Sequence, residues 1–213
     1  LFRSKTYARE DIDAVVKAYD DEVFRGAKPQ YWEDVNIGDE LPPIIKGPYS
    51  STNAVAYEMA RGGLYIKAHG FWYDYLKRHP ALGELNDLGV PEPPERVHWD
   101  SAYARKVGVP AAYDYGPERI AWLGNLLTNW VGDDGFVRRL MVRVRRFNLE
   151  GDVTWCHGKV TGKEIQDGRH LVHLDIWCLD QRGEKNASGK ATVALPSKGG
   201  WLPAQSYGGR RKG

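Results

Sequence analysis

The chain of 213 residues carries 30 basic against 28 acidic side chains, a formal net charge of +2, with 42% hydrophobic and 27% charged residues. That length holds one domain with a full core, or a smaller domain with a long decoration. The composition excludes wholesale disorder, and the near-balanced charge leaves no domain-wide basic face for a nucleic acid.

No segment reaches the roughly 20 apolar residues that span a bilayer. The opening Leu1-Phe2-Arg3-Ser4-Lys5 lacks the apolar stretch of a signal peptide, so no membrane association and a cytoplasmic setting are expected. The sequence begins without Met, which is consistent with a natural chain that extends further. Cys156 and Cys178 fall in predicted strands with no CxxC spacing, and are expected as buried free thiols rather than metal or redox groups. Aromatic residues make up 12% of the chain, with 8 Trp, which points to a large core or an interface and fits an oligomer.

In chain order, Ile12, Val15, Val16, Tyr19 and Val23 recur at helical spacing and predict an amphipathic helix ending at Gly26 and Pro29. Residues 1–30 form an N-terminal helical extension on this reading. A turn-rich entry over Tyr31–Glu40 leads into a predicted strand from Leu41 to Tyr49. Ser51 or Thr52 caps a short helix running to about Ala60, which Gly62-Gly63 terminates. The stretch from Leu64 to Gly116 is the least regular. It holds a predicted helix over Phe71–Arg78 stopped by Pro80, a Pro-rich loop at Val90–Pro94, and a short helix over Ser101–Lys106 with Asp100 at its cap.

Pro117 then suits the first turn of a long helix. Ile120, Ala121, Trp122, Leu123, Leu126, Leu127, Trp130 and Val131 make it apolar on most sides, so it is expected to be buried. Four strand signals follow: one around Leu140–Arg145, then Val153–Lys163, His170–Leu179 and Ala191–Leu195. Asp167-Gly168 marks a hairpin between the second and third. The order of strand, helices, central helix and four strands is an α+β layout, read as one domain over 31–198 with a long insertion. The Gly-rich tail from 199 to 213, ending Arg210-Arg211-Lys212, is expected to be flexible or to lie on a partner subunit.

A central helix followed by a four-strand meander resembles the hot-dog fold, an antiparallel sheet wrapped around a long helix. Four segments sharpen the resemblance to MaoC-like acyl dehydratases and (R)-specific enoyl-CoA hydratases. Tyr31–Pro42 is similar to that family's entry segment, and His98–Gly108 resembles its active-site stretch H-x-D-x-x-x-A-x-x-x-G. Tyr115-Gly116-Pro117 stands where the family has His-Gly at the mouth of the central helix, and Leu149-Glu150-Gly151-Asp152 resembles its G-D turn.

The resemblance implies a lyase that adds or removes water at a 2-enoyl thioester, with coenzyme A carried by the substrate and no separate cofactor. It also implies a homodimer, or a hetero-oligomer with another hot-dog subunit, since pairing sheets edge to edge removes exposed strand edges. Family members use an Asp/His pair in D-x-N-P-x-H, one group activating water and the other handling the proton at the α-carbon. Here Pro93 stands five residues before His98 where that Asp is expected, and the place after the short helix reads Gly62-Gly63-Leu64.

The candidate site residues follow from this. His98 is the first choice for proton transfer, because a neutral imidazole serves as a base near pH 7; its alternative is a structural histidine beside a loop. Asp100 is a candidate acid or a helix cap. Gly116 is the candidate N–H donor to the thioester oxygen at a helix N-terminus. Tyr113, Asp114 and Tyr115 precede the central helix where the family places substrate-facing groups, Asp114 having a structural reason as well. Glu95 lies near in sequence. His69 and the aromatic run Phe71–Tyr75 are candidates for the site and the acyl pocket, or for core. Arg143 and Arg145, expected on one strand face, suit the phosphates of coenzyme A or form a solvated outer face. The missing Asp supports a second reading, a half-site subunit whose partner supplies the carboxylate. A thioesterase, resting on Glu118, is a third.

Overall fold

The computed structural model describes residues 6–62 and 67–200. The first helix, α1, spans Arg9–Asp20 and stops short of the expected Val23, which lies outside it and is exposed. Its one buried residue, Val15, packs with Ile45 and Val153, and Tyr7 and Tyr19 reach the carbonyls of Gly151 and Gly47. Val16 and Ile12 stay exposed, so α1 clips onto the domain rather than sharing its core.

The expected strand over 41–49 is reduced to β1, Ile44–Lys46, paired antiparallel to the longer strand β5, Thr154–Gln166. Pro42 and Pro43 have no N–H to offer a ladder, which confines the strand to three residues. Helix α2 spans Ser51–Ala60, and its cap is Ser50, one residue earlier than expected: Asn53 Oδ1 accepts the Ser50 backbone N–H at 2.9 Å. The termination at Gly62-Gly63 lies partly outside the described residues. Helix α3, His69–Arg78, opens the insertion, and a two-residue ladder of β2, Glu84–Leu85, with β3, Pro91–Glu92, follows, β3 lying in the Pro-rich loop. A 3-10 turn over Pro94–His98 leads into α4, Ser101–Lys106, with the expected bounds.

Helix α5, Gly116–Val131, lies at the centre. Leu123, Leu126, Leu127 and Val131 are 1% exposed or less, and they pack on Cys156, Val160, Val172, Leu174, Ile176, Cys178 and Val193 from the sheet. Burying each such leucine is worth about 2 kcal/mol, so this helix anchors the fold. The remaining strands are β4, Phe136–Val144, β6, Arg169–Asp180, and β7, Lys185–Ala194, giving the five-stranded order β1-β5-β6-β7-β4. Along β6 the residues Val172, Leu174, Ile176 and Cys178 are buried while His173, Asp175 and Trp177 alternate outward, the period-two pattern of a sheet with one covered face. Asp167 and Gly168 both take positive φ (50° and 72°) in the β5–β6 hairpin, as that dipeptide predicts. Strand β4 begins four residues earlier than the sequence indicated and β7 six, because polar residues on the open face hide the alternation.

Two features allow close packing. A Cβ at Gly189 would sit 2.0 Å from the Met141 carbonyl oxygen across the β4–β7 pair, and one at Gly158 would meet Leu41 at 2.9 Å. Both cysteines are buried and free, facing each other across β5 and β6 with Sγ atoms 3.7 Å apart. Gly199 and Gly200 are the last described residues of the expected tail; the rest of it lies outside the described residues.

Candidate active site

The N-terminus of α5 meets the His98 turn and the loop after β4. Tyr113 bridges to Leu149, the Asp114 N–H donates to the Asn148 carbonyl at 2.9 Å, and the Glu150 N–H donates to Ala112 at 2.7 Å. Ser101 ties the pieces together: its hydroxyl donates to Glu150 Oε2 at 2.6 Å and accepts the Ala112 N–H at 2.9 Å. The Ser51 hydroxyl adds a bond to the Trp99 carbonyl at 3.0 Å. The segments carrying His98 and Tyr113–Gly116 are therefore held in one geometry by hydrogen bonds from α2, α4 and the 148–152 loop.

His98 Nδ1 lies 2.7 Å from the Tyr113 carbonyl oxygen. A carbonyl only accepts, so the proton sits on Nδ1 and the neutral ring presents a lone pair at Nε2. The ring stacks on Tyr115 with centroids 3.8 Å apart and meets Tyr113 edge-on at 4.6 Å. Burial holds the imidazole below its ordinary range, with the Tyr113 carbonyl and the Glu58 carboxylate acting in the opposite sense. At neutral pH His98 is thus an oriented, uncharged base.

Tyr115 immediately precedes Gly116, the first residue of α5. Gly116 carries one of the N–H groups that a helix leaves without an intrahelical partner, at the positive end of its dipole. A Cβ there would meet nothing within 4 Å, so the backbone faces open space. The Tyr115 hydroxyl is buried with no hydrogen-bond partner among the described residues, and burial, then Glu58 and Glu95, push its pKa up.

One residue here escaped the sequence reading. Glu58, on α2, is 1% exposed, and both of its carboxylate oxygens lack a hydrogen-bond partner among the described residues. Among the described residues it forms an ion pair with Arg61 Nε at 3.3 Å. The Arg61 guanidinium lies over the rings of Tyr57 and Tyr115, 5.9 Å from each centroid. The available signal was spacing: Glu58 is four residues after Ala54, the other buried residue of α2, so it occupies an inward-facing helical position.

Neither a family model nor a curated protein matches the chain. Solved structures do. The (R)-hydratase from A. caviae involved in PHA biosynthesis aligns with a TM-score of 0.56 at 14% identity, covering 77% of this chain and 99% of that one. The MaoC-like dehydratase from Rhodospirillum rubrum aligns at 0.54 and 14% identity, covering 78% and 96%. A chain of the ChsH1–ChsH2 complex from Mycobacterium tuberculosis aligns at 0.53 and 15%, covering 76% and 98%.

The chain has a hot-dog fold.

Within this hot-dog domain the other candidates fall in distinct places. Asp114 is 1% exposed and forms an ion pair with Arg119 Nε at 2.6 Å, which turns its carboxylate toward a buried arginine. Burial raises its pKa to about 7 against the pull of Arg119, which also donates to the carbonyls of Arg146 and Asn186. Asp100 caps α4: its Oδ1 accepts from the Ala102 and Tyr103 N–H groups at 2.9 Å, which commits that oxygen to the helix rather than to proton transfer.

His69 is exposed at the start of α3, and no described contact links it to His98. Of the aromatic run, Trp72 is buried within the insertion and donates to the Pro91 carbonyl at 2.8 Å, while Phe71 is 81% exposed. Arg143 lines an outer groove with Trp177 and Lys185, on the sheet face opposite the one Val142 turns to the core. Strand β4 ends at Val144, so Arg145 lies beyond it and does not extend that face; its N–H donates to Asn186. Glu118, on which the thioesterase reading rests, is 5% exposed and accepts a hydrogen bond from the Tyr49 hydroxyl.

Proposed function

We propose that this hot-dog chain is a hydro-lyase that adds water to, or removes it from, a 2-enoyl thioester. The carrying observation is the orientation of His98: Nδ1–H fixed on a carbonyl and Nε2 left as a base beside the N-terminus of a buried helix. In the hydration direction Nε2 takes a proton from water as its oxygen bonds to the β-carbon. The electrons of the double bond move toward the thioester oxygen, where the Gly116 N–H and the dipole of α5 stabilise the enolate. The α-carbon then receives a proton, and the reverse sequence expels water.

The fold shared with an (R)-hydratase and a MaoC-like dehydratase supports this reaction class. On this reading the substrate is an acyl-CoA, the reaction needs no further cofactor, and the protein works in the cytoplasm as a dimer. Among the described residues no helix is long and apolar enough to cross a membrane.

The test follows loss of enoyl-thioester absorbance with crotonyl-CoA and a longer 2-enoyl-CoA, comparing the wild type with His98→Ala. Hydration that disappears in the variant is the expected result. A folded wild type that leaves both substrates untouched would sink the reading of the chain as active alone.

A second reading is kept because Pro93 occupies the position of the family Asp, and because a structural neighbour occurs in a two-protein complex. In it this chain is one half of a site and a second hot-dog subunit supplies the carboxylate. Turnover that appears only on adding such a partner would favour it.

A further inference from the structure

We infer that Glu58 is the carboxylate that completes the proton-transfer pair, so that this chain carries both groups itself. The inference rests on the hydro-lyase reading and names a residue that reading leaves open. Three observations carry it.

The first is burial without satisfaction. A carboxylate that is 1% exposed, with neither oxygen hydrogen-bonded among the described residues, is costly to keep in a structural role. A leucine or methionine would fill the same inward position of α2 without that cost. The ion pair to Arg61 at 3.3 Å compensates the charge in part and leaves both oxygens able to accept.

The second is the company it keeps. Glu58, Arg61, Tyr57 and Tyr115 form a continuous cluster through the guanidinium over both phenol rings, and Tyr115 stacks on His98 at 3.8 Å. The Glu58 charge and the Tyr113 carbonyl act on His98, whose ring lies against those of Tyr113 and Tyr115, while Arg61, just after α2, and Glu95, on the His98 turn, act on Tyr115. The field of Glu58 reaches both His98 and Tyr115.

The third is a matching orphan. The Tyr115 hydroxyl is also buried without a partner. A donor and an acceptor, both unsatisfied and electrostatically coupled, together with an imidazole lone pair, are what a site needs to hold one water molecule or a substrate hydroxyl.

In the reaction the protons balance between the two groups. His98 Nε2 takes a proton from water while oxygen bonds to the β-carbon. The imidazolium passes that proton to the Glu58 carboxylate, through the Tyr115 hydroxyl or a bound water, and the Glu58 carboxyl delivers it to the α-carbon, which restores both groups. One water is added and no other reactant is consumed.

The experiment compares wild type, Glu58→Gln and Glu58→Asp in the full chain. It measures kcat and KM for hydration, and the His98 imidazole titration by NMR. Gln keeps the volume and removes both the charge and the capacity to carry a proton, and is expected to lower kcat by about 10²-fold or more with KM changed little. Asp, which keeps the acid one methylene short, is expected to recover part of the rate. His98 in the Gln variant is expected to titrate at lower pH, because a neighbouring negative charge is gone.

A Glu58→Gln protein within threefold of an active wild type would overturn the inference and leave the hydro-lyase reading standing. If the wild type hydrates nothing, that reading falls, and an unmoved His98 titration in the Gln variant would then independently overturn the coupling of Glu58 to His98.

Discussion

The Tyr49 hydroxyl donates to Glu118 Oε2 at 2.9 Å in the first turn of α5, beneath the site and out of solvent. Burial raises the Glu118 pKa to about 7 despite that bond. Asp114, ion-paired with Arg119, is raised to about 7 as well. The start of the central helix thus contains two carboxyls that change charge near neutrality, each locked to a partner inside the protein.

Stability should therefore fall as the medium becomes more alkaline. A carboxyl whose folded pKa lies above its unfolded value favours the folded state fully below about pH 4, and loses that contribution as pH rises to about 7. Glu118→Gln keeps an acceptor for Tyr49 and removes one titration. Relative to wild type it should gain up to about 3 kcal/mol in unfolding free energy between pH 4 and pH 8. Denaturant melts at several pH values measure this, and parallel curves for the two proteins would contradict it.

Activity should show the opposite limb. His98 acts as a neutral base and its pKa is held down by burial, so kcat/KM for hydration should be retained at neutral pH and lost in acid. The apparent pKa of that limb is expected below about 6.5, the ordinary histidine value. A limb centred above it would mean that another group controls the rate.

Gly116→Pro tests the backbone donor. Proline suits the first helical position, and Tyr115 already has the extended conformation (φ −71°, ψ 134°) that a following proline requires. The variant should keep the helical circular dichroism of the wild type and lose about 10²–10³-fold in kcat, the effect of one oxyanion donor. Undiminished turnover would remove Gly116 from the mechanism.

Asp100→Ala separates capping from chemistry. It removes an acceptor for the Ala102 and Tyr103 N–H groups and should destabilise the protein by about 1 kcal/mol, with hydration changed only a few-fold. A variant as stable as wild type but inactive would return Asp100 to the catalytic group.

Much of the fold was legible because its signals are local. The Asp167-Gly168 hairpin, the Asp100 cap and the bounds of α4 each depend on a few adjacent residues. The apolar stretch after Pro117 has no polar face wide enough for a surface helix, so it marked the central helix. The site was legible only in part. His98, Tyr115 and Gly116 do converge, whereas Asp100 and Asp114 are occupied by a helix cap and an arginine, and His69 stands apart. Short-range spacing cannot distinguish a carboxylate that faces a ligand from one that faces Arg119.

The sequence by itself determined the element types, their order and the α+β class, since propensity, caps and turn chemistry act over a few residues. Tertiary structure decided how far β1 extends, where Arg145 lies, and above all that α2 brings Glu58, through Arg61, into the cluster that holds Tyr115 and His98. Periodicity says that a helical position faces inward; what it meets there is set by the packing of segments distant in the chain, where a buried charge takes its meaning from its partners.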